Sequence, residues 1–197
     1  MLCVYQESHF LMPNTGQHNA NNWHKAIMDV LTNGHHIESL QYLFKTDISP
    51  RMPESSLVRV RGLSLPEHCQ PVERKQNFTK GVQAAFRLRL CTTRRKKTTV
   101  NGKEKTIETF VSEKNDAFHG FLSQKLSSNG FALDSITEIQ DTVVERVKRG
   151  GTQFFSPRCD VTFLATITDE EAAAIAYVKG IGRNKVFGAG MMEALDV

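Results

Sequence analysis

Residues 83–90 read QAAFRLRL, with Phe86, Leu88 and Leu90 on one side of an alternating run and Arg87 and Arg89 on the other. That is the period-two pattern of a strand with one buried face. Downstream, Val100-Asn101-Gly102-Lys103 carries the Asn-Gly signal of a hairpin tip. Asp116 to Ser127 places Ala117, Phe118, Phe121, Leu122 and Leu126 at helical spacing, and Asn129-Gly130 closes the helix. Phe131 to Val147 and Phe154 to Ile167 read as two long strands around the Arg149-Gly150-Gly151 turn. Thr168-Asp-Glu-Glu171 reads as a capping box, Thr168 capping and Glu171 reaching back, for a helix that runs to Lys179. A last strand falls within Phe187 to Leu195. The order strand, helix, strand, strand, helix, strand is the split βαβ of a ferredoxin-like domain, an antiparallel sheet with its helices on one face.

The first half permits the same order. A short alternating run, Leu2 to Tyr5, precedes a polar stretch that cannot build a core. A helix from Asn19 to Thr32 follows, with Trp23, Ala26, Ile27, Val30 and Leu31 on one stripe and Asn33-Gly34 at its end. Extended segments at Leu40 to Lys45 and Leu57 to Gly62 are separated by Ser49-Pro50 and Met52-Pro53, and a weaker strand is expected at Phe78 to Val82. The expected architecture is α+β, two tandem ferredoxin-like (RRM-like) domains, residues 1–82 and 83–197.

Composition narrows the function classes. The 197 residues are 40% hydrophobic and 23% charged, which suits a folded soluble chain. No apolar run nears the roughly 18 residues of a membrane span, and the N-terminus lacks an export signal, so no membrane partner and a cytoplasmic location are expected. Cys3, Cys69, Cys91 and Cys159 are scattered without a C-x-x-C pair, which argues against a disulfide framework or a cysteine-rich zinc site. The net charge of +4 is concentrated. Between Arg87 and Lys105, the basic residues Arg87, Arg89, Arg94, Arg95, Lys96, Lys97, Lys103 and Lys105 meet one acid, Glu104. The rest of the chain is slightly acidic, a distribution suited to a polyanion, although a solvated basic hairpin has the same composition.

The segment Gly180–Gly190 reads GIGRNKVFGAG. Gly180, Gly182, Gly188 and Gly190 would let backbone amides approach phosphate oxygens, with Arg183 and Lys185 adding charge and Asn184 between them. It lacks the Walker pattern, and it follows a helix where a dinucleotide loop would follow a strand. A tight connection to the last strand is the other reading of the same glycines.

The F-R-L-R strand (Phe86 to Arg89) resembles the corresponding strand of the CRISPR repeat-processing endoribonucleases, the CasE subfamily of type I-E systems. It does so together with a terminal helix through Glu171, Ile175 and Val178 that runs into the glycine loop. The resemblance covers most of the chain, and its fold is two tandem ferredoxin-like domains. It implies metal-independent cleavage of precursor CRISPR RNA beside a repeat stem-loop. The upstream 2′-hydroxyl would attack, leaving a 2′,3′-cyclic phosphate and a 5′-hydroxyl, with no cofactor. The partners it implies are the repeat stem-loop at the guide's 3′ end and the other subunits of a Cascade-type complex. A non-catalytic stem-loop-binding subunit of such a complex is the alternative.

The family's catalytic histidine on the first helix matches His24. Histidine titrates near neutrality and can move protons at a basic RNA groove; at the flank of an apolar stripe the residues alone favour a partly buried structural histidine, and the resemblance reverses that reading. His18 competes from the lead-in to the same helix, and His35-His36 reads as a surface pair. The family's tyrosine one turn before the histidine is Asn21 here, and an amide cannot transfer a proton at neutral pH. Either His18 or Lys25 supplies that function, or cleavage is slow. RNA recognition is expected to rest on shape and phosphate. It would use Arg87, Arg89 and the hairpin cations, a second cluster of Arg146, Lys148 and Arg149 (short basic turns also occur simply for solubility), and Arg183, Asn184 and Lys185 at the scissile region.

Overall fold

The computed structural model describes residues 1–14, 20–35, 40–49, 52–100, 103–149 and 151–195. In the first half β1 (Leu2–Pro13), α1 (Ala20–Thr32), β2 (Tyr42–Ser49), β3 (Met52–Gly62) and β4 (Val72–Asn77) build an antiparallel sheet of order β2-β3-β1-β4. The second half contributes β5 (Gln83–Cys91), the ribbon β6 (Thr93–Val100) and β7 (Lys103–Phe110), and α2 (Ala117–Ser127). It continues through β8 (Phe131–Ile139), β9 (Val143–Arg149), β10 (Thr152–Ile167), α3 (Glu170–Lys179) and β11 (Met192–Leu195). Its sheet runs β11-β5-β10-β8, with β9 also on β10 and the ribbon separate. Both sheets have the strand order of a ferredoxin-like domain. In the first, a short 3-10 turn at Glu67–Cys69 stands where the second crossover helix would be.

Several boundaries differ from those expected. β1 extends well past Tyr5 because its polar residues are satisfied: Glu7 is buried against Arg61, and the Ser8 hydroxyl donates to the Cys69 carbonyl at 2.5 Å. The fourth strand is Val72–Asn77 and Phe78 to Val82 is a connector. Phe78 is a fully buried plug whose amide donates to the Met1 carbonyl, whereas β4 is an exposed edge strand with no alternation to read. The long strand expected from Phe131 to Val147 is two strands. β8 pairs with residues 161–167 of β10 and β9 with residues 152–158, so the chain must break at 140–142 to serve both ends of one partner. Asp169 caps α3, accepting from the Ala172 amide at 3.0 Å, while the Thr168 amide is committed to the Gly130 carbonyl. The last strand begins only at Met192. The Asn19 helix start, Pro50, the Asn101-Gly102 tip, Gly150, His18 and His36 lie outside the described residues.

The core follows the sequence pattern. Trp23, Ile27 and Leu31 of α1 are buried on Phe44, Val58 and Val60, each such side chain contributing about 1.5–3 kcal/mol. Phe86, Leu88 and Leu90 face α2 and α3 with Val161, Phe163 and Ala165. The opposite face of β5 and β11 meets the first sheet through charge. Glu193 takes Lys45 at 2.8 Å and also Arg59, and Arg89 takes Asp160 at 2.8 Å and Asp47 at 3.3 Å. Arg61, 2% exposed, is bound to Glu7 at 2.7 Å and to the Tyr177 and Met192 carbonyls. Among the described residues no helix is long and apolar enough to cross a membrane.

Candidate functional site

α1 belongs to the first sheet, yet its first turn is fixed by the second half. Ala20 is buried with Val147 of β9 and Phe187 of the loop after α3, and Phe154 packs against them. One turn on, half-buried His24 lies edge-on to the Phe187 ring, 6.1 Å between centroids. Tyr42, at the start of β2, places its hydroxyl 3.0 Å from Nδ1, the two rings near parallel at 12°.

Burial pushes the Tyr42 phenol upward, so it stays protonated. A neutral phenol can donate to Nδ1 of a neutral imidazole or accept from the Nδ1–H of a charged one. The Tyr42 hydroxyl can therefore hold the orientation of the ring in either state. Asn21 is buried on the same helix.

His24 and Tyr42 line a cleft of about 410 Å³ with Met28, Leu43, Lys179 and Lys185. The Lys185 ammonium donates to the Lys179 carbonyl at 2.9 Å, at the C-terminal end of α3. Burial, then the Lys179 charge, holds that ammonium below its ordinary value. Sequence reasoning missed Tyr42 and Lys179. The alternation of Leu40, Tyr42 and Phe44 marks a face of the strand, but nothing in it pairs Tyr42 with His24.

The glycine loop joins this cleft to the ribbon, and its glycines serve packing more than anion binding. A Cβ on Gly180 would lie 2.7 Å from Leu43 Cδ2 and 2.9 Å from the Gly190 carbonyl. One on Gly188 would lie 2.9 Å from the Phe44 ring, and one on Gly190 2.9 Å from the Ile181 carbonyl. The amides of Gly180, Ile181, Phe187, Gly188, Ala189 and Gly190 all donate to protein carbonyls. The expected amide cradle for phosphate is thus not formed by Gly180, Gly188 and Gly190; Gly182 borders open space near Leu90.

Of the expected cations, Arg183 leads to the ribbon. Its Nη2 donates to Glu108 Oε1 at 2.9 Å, and Arg95 Nε donates to the same oxygen at 2.7 Å. Beside them a cleft of about 620 Å³ is lined by Arg94, Lys125, Asn129 and Gly182. Lys97 is exposed and pairs with Glu104 at 3.4 Å. Lys96, Lys103 and Lys105 lie on the ribbon strands, and Lys148 and Arg149 on β9. Exposed Arg146 donates to Gln153 at 2.7 Å, away from the His24 cleft.

Two expected contacts are corrected, Arg89 and Asn184. Arg89 is 12% exposed and committed to Asp160, Asp47 and the Thr46 carbonyl, whereas half-buried Arg87 reaches only Thr162 of the neighbouring strand, at 3.5 Å. Arg89 thus braces the joint between the sheets through Asp47 and the Thr46 carbonyl instead of facing a ligand. Asn184, left-handed at φ 58°, anchors the loop through Ser156 Oγ at 2.9 Å and Cys91 Sγ. Among the described residues no group of three or more His, Cys, Asp or Glu is arranged around a metal position.

Comparison with known proteins adds the following. A family model described as CRISPR associated protein matches residues 6–194. No curated protein matches the chain by sequence. Among solved structures the chain is similar to a Thermus thermophilus Cse3 bound to an RNA representing a pre-cleavage complex, at 15% identity over 99% of each chain and a TM-score of 0.66. It is similar to the CRISPR-associated protein Cas6e from Escherichia coli str. K-12, at 16% identity over 98% of this chain and 100% of that one, TM-score 0.68. A chain of a CRISPR RNA-guided surveillance complex matches at 19% identity over 98% and 100%, TM-score 0.62. At these identities the likeness is one of fold.

Proposed function

The chain belongs to the CRISPR associated protein family, and from that premise we propose that it is an endoribonuclease that cuts precursor CRISPR RNA beside a repeat stem-loop. It then stays on the 3′ stem-loop of the guide as a subunit of a Cascade-type complex. The observation that carries this reading is the placement of His24. One loop, Gly180–Gly190, borders the imidazole's cleft through Lys185 and reaches the basic ribbon through Arg183. A phosphate-binding ribbon and a proton-transfer group would thereby flank one continuous loop. The RNA-bound Cse3 and the surveillance-complex chain support the same assignment.

The chemistry assigned is an in-line displacement. The 2′-hydroxyl gives its proton to His24 Nε2 as O2′ bonds to phosphorus; the bond from phosphorus to O5′ breaks, and O5′ takes a proton from water. The products are a 2′,3′-cyclic phosphate and a 5′-hydroxyl, and the imidazolium returns its proton to solvent. Tyr42 is a positioning residue for the ring, and the Lys185 ammonium stabilises charge that develops on the phosphoryl oxygens.

Asn21 favours a second reading, a stem-loop-binding subunit that does not cut, because it puts an amide where the family places a tyrosine. Incubating the protein with a repeat RNA in a chelator separates the two. One cut yielding the cyclic phosphate and 5′-hydroxyl ends is expected. Intact RNA that stays bound would establish the second reading, and absence of binding would overturn both.

A further inference from the structure

Glu108 occupies an unusual position for an acid in a ribbon expected to meet a polyanion. Its exposed side chain sends one oxygen, Oε1, to two arginines from different elements, Arg95 of β6 at 2.7 Å and Arg183 of the glycine loop at 2.9 Å. That is the arrangement in which two guanidinium groups converge on a phosphodiester oxygen. A buried nitrogen of the same guanidinium, Arg183 Nη1, has no hydrogen-bond partner among the described residues, so Glu108 leaves the donor set incompletely used. The hydrogen bonds from Arg95 and Arg183 hold the Glu108 carboxyl below its usual range, so it is an anion at neutral pH. The adjoining cleft of about 620 Å³ adds Arg94, Lys125 and Asn129 and opens to solvent.

We propose that Arg95 and Arg183 form a phosphodiester-binding subsite that Glu108 fills in the free protein, and that bound RNA displaces the Glu108 carboxylate with one of its own phosphates. The inference rests on the RNA-binding reading and deepens it: the carboxylate acts as an internal competitor. A polyanion that merely approaches the ribbon gains little, because each arginine it takes must be given up by Glu108. A backbone that presents phosphate to β6 and the glycine loop together recovers both contacts. Glu108 therefore trades affinity for discrimination, and it ties occupancy of the ribbon to the loop that borders His24.

The test is equilibrium binding of two RNAs, a repeat stem-loop and a scrambled hairpin of equal length, to wild type, Glu108→Gln, Arg183→Ala and the double variant. Glu108→Gln is expected to tighten both RNAs and the scrambled hairpin more, by about three- to tenfold, the scale of two half-exposed ion pairs. In the Arg183→Ala background the same change should lose most of its effect. Weaker stem-loop binding by Glu108→Gln would overturn the inference, because Glu108 would then be a brace needed in the bound state. Equal binding of the stem-loop by wild type and both single variants would overturn it too, while leaving the RNA-binding reading standing. Failure of wild type to bind the stem-loop would overturn that reading and the inference together.

Discussion

The Tyr42 hydroxyl lies 3.0 Å from His24 Nδ1, so a residue of the strand β2 sets the ring of a residue on the helix that covers the same sheet. Position 21 of the helix, where the family motif would place a tyrosine, holds buried Asn21, and the phenol beside His24 belongs to β2. The Phe187 ring meets the same imidazole edge-on.

Tyr42→Phe keeps the near-parallel ring packing and removes only the hydroxyl. Single-turnover cleavage of repeat RNA should slow by about tenfold, the value of one hydrogen bond to a group that becomes charged, with RNA affinity unchanged and the pH midpoint of the rate moved. A rate and midpoint equal to wild type would remove Tyr42 from the mechanism.

The joint between the sheets should fail in acid. Burial raises the Asp160 carboxyl, but the hydrogen bond and charge of Arg89 outweigh it, and the net shift is downward; Glu193 is held down against burial by Lys45 and Arg59 in the same way. A carboxyl lowered by folding contributes its full stability above its unfolded value, near 4, and loses it as pH falls through the folded value. Chemical denaturation from pH 7 to pH 3 should show stability falling below about pH 4. Asp160→Asn should be less stable at pH 7 and show a shallower fall.

Gly180→Ala and Gly182→Ala separate packing from conformation. Both residues have positive φ, 79° and 89°, but a Cβ at 180 meets Leu43 and the Gly190 carbonyl, and one at 182 meets only Leu90 at an ordinary 3.5 Å. Gly180→Ala should destabilise by clearly more than the roughly 1–3 kcal/mol of strained backbone alone, and Gly182→Ala by about that strain. Thermal melts giving equal losses would contradict the packing role of the loop.

Much of this was legible in the chain because local pattern and tertiary burial agree. The face of Phe86, Leu88 and Leu90, the stripe of Trp23, Ile27 and Leu31, and the glycine caps are all where period and turn chemistry put them. What the pattern hides is partnership. A period of two puts Arg87 and Arg89 on the face opposite the core, but it cannot say that Arg89 there meets a second sheet bearing Asp47. β4 has no apolar alternation, since an edge strand exposed on both faces leaves none. His24 could be named from the resemblance, whereas Tyr42 and Glu108 reach their partners across 18 and 75 residues of chain, separations that no local motif encodes.

Glu7→Ala should be costly out of proportion to its size. It leaves the Arg61 guanidinium, 2% exposed, without its carboxylate, a loss of about 3–5 kcal/mol when one member of a buried pair is removed. Replacing both residues with methionine should recover part of the loss in a denaturant titration. A single-variant loss below about 1 kcal/mol would place the pair in the class of surface ion pairs.

Single-turnover cleavage of one repeat RNA, at saturating protein and with a chelator present, compares wild type with His24→Ala most directly. The expected result is a rate lowered by about 10²–10⁴ with stem-loop affinity within twofold of wild type. Cleavage by His24→Ala at the wild-type rate would contradict the account, because the imidazole in contact with Tyr42 and Phe187 would then have no part in breaking the strand.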